Sequence, residues 1–280
     1  MGNAATEGFV DRPIGVFDSG VGGLSVLRAL RAELPHERFV YVADSGFAPY
    51  GERDDAYVVQ RSHAITDYLV KTHGIKAMVV ACNTATAAAI HTLRKDYATI
   101  PVVGIEPALK PAAASSSTGV VGVIATRYTL QSEKFAALLR SLHGQARFVL
   151  QPCDGLVRAI EQNDTIKIRA ACAEYTGAMG TFGLKTGEMD TLVLGCTHYP
   201  FIADELRACV GPDIAFVEGG TPVAKQTRRL LAAQDALASS DVAQSAIPLP
   251  QLWTTGEPSA LDRAVQTWLG WNTPAEKLAV

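Results

Sequence analysis

Short runs of valine, isoleucine and leucine alternate with longer amphipathic stretches along nearly the whole chain. The runs at 14–17, 39–42, 77–81, 102–105, 120–124, 147–150, 191–194 and 215–217 predict strands, because they are brief, apolar and rich in β-branched residues. Stretches at 54–73 and 166–180 predict helices, and others begin near Gly23-Leu24-Ser25 and Leu130-Gln131-Ser132. Two more cover 225–236 and 259–269. Continuous rather than alternating apolar strands, separated by helices, predict an α/β fold with mainly parallel sheets covered by helices on both faces. Ligands in such folds sit beyond the carboxyl ends of the strands, where Asp18, Asp44, Cys82, Thr126 and Cys196 would gather.

The rhythm breaks at 107–118, where Pro111 and the run Ala112-Ala113-Ala114-Ser115-Ser116-Ser117 predict a domain boundary, either a linker or a helical crossover. A second crossing falls near Glu218-Gly219-Gly220-Thr221-Pro222. We therefore expect a first domain of residues 13–109 completed by 218–280, and a second of 110–217. The stretch 239–251 reads as a loop that packs little.

Two stretches share a plan. Met78-Val79-Val80-Ala81-Cys82-Asn83-Thr84 is a buried strand running into an alanine-rich helix that Asn83 or Thr84 could cap. Leu192-Val193-Leu194-Gly195-Cys196-Thr197-His198-Tyr199-Pro200 repeats the strand, the cysteine, the hydroxyl residue and a helix start with an early proline. A cysteine at such a place is either a small buried hydrophobe or a thiol whose pKa falls beside a helix N-terminus. Its recurrence favours the reactive reading and predicts two similar halves. Strands at 14–17 and 120–124, each followed by a polar turn (Asp18-Ser19-Gly20 and Ala125-Thr126), support the repeat by layout more than by residue identity.

Composition narrows the class. The chain has 280 residues, enough for two medium cores, and 48% of them are hydrophobic, yet no segment approaches the roughly 18 to 20 continuous apolar residues of a membrane span. Residues 1–11 are polar and lack the pattern of a signal peptide. The net charge of -3 argues against a nucleic-acid or anionic-membrane surface. Five dispersed cysteines without a C-x-x-C pair argue for reduced thiols in a reducing, cytoplasmic compartment. Gly20-Val21-Gly22-Gly23 fails as a dinucleotide fingerprint because Ser25 stands where the last glycine belongs; its glycines read instead as a backbone approach to a small anion. His198 beside Cys196 does not read as a metal or protease pair, since no third ligand or orienting partner stands near in sequence. Cys153, Cys172 and Cys209 read as packing residues, and His63, His73 and His91 as helix-surface residues. Lys225, Arg228 and Arg229 read as a solvated helix face. Glu106, at a strand end, reads either as a supporting group or as part of a solvated turn.

Asp18-Ser19-Gly20-Val21-Gly22-Gly23-Leu24-Ser25, Pro49-Tyr50-Gly51, Ala81-Cys82-Asn83-Thr84 and Gly195-Cys196-Thr197-His198-Tyr199-Pro200 occur in that order. The set resembles the glutamate racemases of the aspartate/glutamate racemase superfamily, over most of the chain. The resemblance implies two pseudo-symmetric α/β domains with the active site in the cleft between them, and usually a homodimer. It implies cofactor-independent interconversion of L- and D-glutamate, supplying D-glutamate for bacterial peptidoglycan. Cys82 and Cys196 match the catalytic thiols, Cys82 as the base toward D-glutamate and Cys196 toward L-glutamate. Asp18 and His198 match the residues that assist them. Substrate contacts match Asp18, Ser19, Tyr50, Gly51, Asn83, Thr84, Thr197 and His198; no metal is implied. Ala43-Asp44-Ser45-Gly46-Phe47-Ala48 departs from the usual glycine-aspartate start and its following basic residue.

The chemistry agrees with the residue types. Inverting an α-carbon needs a base on one face and an acid on the other, and two cysteines from two half-molecules supply both. An aspartate racemase could use the same pair, and a dicarboxylate-binding protein would need the domains but not the thiols.

Overall fold

The computed structural model describes residues 8–239 and 248–280. Most of the polar stretch 1–11 and most of the 239–251 loop lie outside the described residues. The chain divides into two compact units, Met1–Ile105 with Gly220–Val280, and Glu106–Gly219.

The first unit opens with β1 (Ile14–Asp18), α1 (Leu24–Glu33), β2 (Phe39–Ala43), α2 (Asp55–His73), β3 (Ala77–Val80), α3 (Asn83–Asp96) and β4 (Val102–Gly104). Every residue of β1, β2 and β3 is buried, as the continuous apolar runs require of strands covered on both faces. Helix α2 shows why boundaries fall where they do. Asp54 caps its start by accepting the Tyr57 N–H at 2.8 Å, and Gly74 ends it in the left-handed region at φ 58°.

The second unit contains α4 (Leu109–Ser115), β5 (Val120–Ala125), α5 (Arg127–Gln131), α6 (Glu133–Ser141) and β6 (Arg147–Pro152), followed by α7 (Leu156–Glu161), α8 (Thr165–Met179), β7 (Thr191–Leu194), α9 (Ala203–Val210) and β8 (Ala215–Glu218). The stretch 107–118 is thus largely helical, and Leu109 and Ala112 are buried in the core with Val121, Val123 and Val193. Asp190 fixes the turn that follows: it accepts bonds from the Ser116 and Ser117 hydroxyls and from the Ser117 and Thr118 N–H groups. The single helix predicted near 130–132 is two, because Ser132 leaves helical geometry and caps α6 through the Phe135 N–H.

The chain then returns to the first unit with α10 (Gly220–Ala232), β9 (Gln251–Thr254), α11 (Pro258–Leu269) and β10 (Ala275–Lys277). Helix α10 begins and ends earlier than the 225–236 expected.

All strand pairs in the two sheets are parallel. The first sheet has the order β10-β9-β2-β1-β3-β4 and the second β6-β5-β7-β8. Set side by side, β2-β1-β3-β4 and β6-β5-β7-β8 are the same arrangement: each unit starts on an inner strand, steps outward, then crosses back. This is the repeat in structural form. Among the described residues, no helix is long and apolar enough to cross a membrane.

Candidate active site

Cys82 stands two residues beyond β3, and Cys196 two residues beyond β7, so the thiols occupy equivalent positions in the two sheets. Their surroundings differ.

In the first unit Cys82 itself, not Asn83 or Thr84, is the N-cap of α3, and its Sγ accepts the Ala85 N–H at 3.4 Å. The Ser19 hydroxyl lies 3.5 Å from the same sulfur. Asp18 ends β1 on the neighbouring strand, fully buried, with one carboxylate oxygen accepting the Gly20 N–H at 2.7 Å. Gly23 makes this packing possible. A Cβ there would come within 2.6 Å of the Asp18 Cβ and 3.0 Å of the Tyr41 hydroxyl. The Tyr41 hydroxyl, on β2, donates to the Gly20 carbonyl, so the glycine turn after β1 is tied to the neighbouring strand. The helix start does not lower the Cys82 pKa, contrary to expectation. Burial and the negative charge of Asp18 push it up to about 12, against the hydrogen bonds from Ser19 and Ala85. Asn83 and Thr84 open α3 and are buried; Tyr50 is buried in the same apolar cluster as Cys82, and Gly51 is exposed.

In the second unit no α-helix starts directly at the thiol. A 3₁₀ turn, Tyr199–Ile202, intervenes before α9. Gly195 lets the end of β7 approach β5, since a Cβ would lie 2.7 Å from the Ile124 carbonyl oxygen. Cys196 Sγ is 3.7 Å from His198 Nδ1, and His198 Nε2 is 3.0 Å from a Glu161 carboxylate oxygen at the end of α7. Glu161 is the orienting partner that the sequence did not display, because it lies far off along the chain. Burial of His198 opposes its charge, but the bonds to Cys196 and Glu161 outweigh it and hold the pKa well above the usual histidine range. The imidazolium therefore faces the sulfur with one N–H and donates to the carboxylate with the other. Thr197 and Tyr199 are buried beside it.

The remaining residues sort themselves plainly. Cys153 and Cys172 are buried, whereas Cys209 is exposed and does not pack as expected. Burial pushes the Cys153 thiol up to about 12. Glu106 forms an ion pair with Lys134 at 2.5 Å. His63 pairs with Asp96, and His73 packs edge-on against Tyr68 and Trp253, so both are half-buried rather than free on the surface. His91 is exposed, as are Lys225, Arg228 and Arg229; Arg228 pairs with Glu33. Among the described residues, no group of three or more His, Cys, Asp or Glu side chains is arranged to hold a metal ion.

A profile of the family described as Asp/Glu/Hydantoin racemase matches residues 22–227. A glutamate racemase of Pseudomonas putida (strain W619) is 46% identical over 263 residues, covering 93% of this chain and 94% of its own. Among solved structures, a glutamate racemase isoform from Bacillus anthracis superposes with a TM-score of 0.83 at 30% identity, covering 96% of this chain and 98% of its own. The Escherichia coli glutamate racemase, solved with L-glutamate and the activator UDP-MurNAc-ala, gives 0.78 at 31% identity over 96% and 99%. The chain belongs to the Asp/Glu/Hydantoin racemase family, among its glutamate racemases.

Proposed function

We propose that this chain interconverts L- and D-glutamate by a cofactor-independent, two-base 1,1-proton transfer, with Cys82 acting on one face of the α-carbon and Cys196 on the other. The observation that carries this reading is the pair of thiols at the same topological position, one per unit, each with its own charged assistant.

In the L-to-D direction the Cys196 thiolate takes the α-proton, and the Cys82 thiol delivers its proton to the opposite face. The enzyme is left with a Cys196 thiol and a Cys82 thiolate; the reverse reaction starts from that state. The two assistants work by opposite means. The His198 imidazolium offers a positive charge and an N–H to the Cys196 sulfur, and Glu161 holds the ring for it. Asp18 disfavours charge on Cys82, so a thiolate formed there is a strong base, as removal of a weakly acidic α-proton demands. Backbone N–H groups at the strand ends, with Ser19, Tyr50, Gly51, Asn83, Thr84 and Thr197, would hold the two substrate carboxylates. On this reading the D-glutamate serves peptidoglycan synthesis and the enzyme acts as a cytoplasmic homodimer.

Racemisation in heavy water tests the scheme. L-glutamate should gain solvent deuterium at the α-carbon as D-glutamate forms, and Cys82→Ala and Cys196→Ala should each abolish racemisation. Full activity in either variant overturns the two-thiol assignment.

A further inference from the structure

The anchoring of the loop after β2 is built around one ion pair. Asp44 is fully buried at the end of β2. Its carboxylate accepts the Arg61 Nε–H at 3.0 Å and a second guanidinium N–H at 2.8 Å, a two-point contact from α2. It also accepts the Tyr50 hydroxyl at 2.5 Å and the Thr255 hydroxyl at 2.8 Å. The Arg61 guanidinium lies over the Phe47 ring, 3.5 Å from its centroid, and donates to the Val280 carbonyl. The Tyr57 hydroxyl and the Gly46 N–H add bonds to the Phe47 carbonyl and to Thr255. The two short 3₁₀ turns of this loop, Ser45–Phe47 and Tyr50–Glu52, have no side-chain caps of their own. Their geometry is set by what Asp44 and Arg61 hold.

We propose that Arg61 is a positioning residue for the glutamate site: it orients Asp44, Asp44 fixes the Tyr50 phenol, and the Tyr50-Gly51 backbone is thereby set beside Cys82. The inference rests on the two-thiol reading, in which Tyr50 and Gly51 hold substrate. Two observations carry it. Tyr50 packs in the buried cluster that contains Phe17 and Cys82. An ion pair buried in a strand-end loop gains little over apolar packing in stability, so its presence there points to geometry. The charged fork comes from α2 and reaches the loop through Asp44 and Phe47.

The test compares Arg61→Lys, which keeps a charge but not the fork, with Tyr50→Phe, which removes only the hydroxyl. Each should raise KM for both glutamate enantiomers about tenfold, or about 1.4 kcal/mol, with kcat within about threefold of the parent. The double variant should be no worse than the more impaired single one, because both changes cut the same chain of contacts. Parent-like KM values in the two variants overturn the inference, whatever their melting temperatures, as does additivity in the double variant. Should Arg61→Lys fail to fold, Asp44→Asn, which keeps an acceptor for the Tyr50 hydroxyl but breaks the charged two-point contact with Arg61, decides by the same KM criterion. Failure of the two-thiol reading would show separately, as racemisation that survives loss of a thiol.

Discussion

Replacing Glu161 by glutamine isolates the contribution of the second unit's relay. The change keeps the shape of the side chain and removes its charge from the partner of His198 Nε2, 3.0 Å away. Hydrogen bonds to charged groups contribute about 1.5 to 3 kcal/mol, and Glu161 is partly exposed at 29%, so solvent screening brings the expected loss to about 1 to 1.5 kcal/mol. The sign follows from the direction of the shift. The folded pKa of His198 is raised, so the imidazolium is present below that value and is lost as the pH rises through it. Removing Glu161's charge moves this loss toward lower pH. The alkaline limb of the kcat/KM profile should therefore shift acid, and kcat/KM on that limb should fall about tenfold, the equivalent of the lost interaction. The two enantiomers are equally stable, so kcat/KM must fall equally in both directions. What distinguishes the faces is the isotope effect. Slowing the Cys196 step should raise the effect seen with α-deuterated L-glutamate relative to α-deuterated D-glutamate. An unchanged pH limb, or isotope effects that shift in the opposite sense, would refute the relay and leave Glu161 a structural group only.

Two further outcomes follow from the surroundings of Cys82 and Asp190. Alkylation of Cys82 by iodoacetamide, followed by peptide mass spectrometry, should accelerate about tenfold per pH unit from about pH 7 to about pH 10, because a thiol pushed up to about 12 has no plateau in that range; Asp18→Asn should raise the rate, and a plateau below about pH 9 would contradict the shift. Asp190→Asn should destabilise the second unit by about 2 to 4 kcal/mol, since the carboxylate serves the 116–118 turn and the Thr191 hydroxyl. Although burial opposes it, those bonds lower the Asp190 pKa. Its contribution is thus complete above the unfolded value of about 3.9 and is lost as the pH falls through the lower folded one. The denaturant-midpoint gap between parent and variant should be constant above about pH 5 and close in acid, and a gap that widens in acid would show the sign to be wrong.

The alternation of apolar runs and helices was enough to read the class of fold and every strand from β1 to β8: β1, β2, β3, β5 and β7, wholly buried, leave unbroken apolar runs, and the partly exposed edge strands β6 and β8 still carry short apolar cores, Phe148-Val149-Leu150 and Phe216-Val217. The edge strand β10, Ala275–Lys277, carries no such signal: it is short and largely exposed, and only its pairing with β9 makes it a strand. The 107–118 stretch left linker and helical crossover both open for a related reason. Its alanines and serines look like punctuation, and what turns them into α4 and an anchored turn is Asp190, a residue remote in sequence.

The same limit governs the site. Both thiols were legible because each follows a strand in a recurring pattern, yet the groups that hold their surroundings come from elsewhere in the chain: Glu161, on His198, from the end of α7, and Arg61 and Thr255, both on Asp44, from α2 and just past β9. Local reasoning predicted that a helix N-terminus would ease ionisation of Cys82. That effect is worth a fraction of a kcal/mol to about 2, whereas burial of a charge beside the fixed carboxylate of Asp18 costs more and decides the direction. An enzyme that must run the same reaction from either enantiomer has no need of identical bases. On the two-thiol reading each sulfur carries the charge in one half of the cycle and the proton in the other, and the unlike surroundings of the two topologically equivalent cysteines give these steps different assistants, the His198 ring at Cys196 and the Asp18 carboxylate at Cys82.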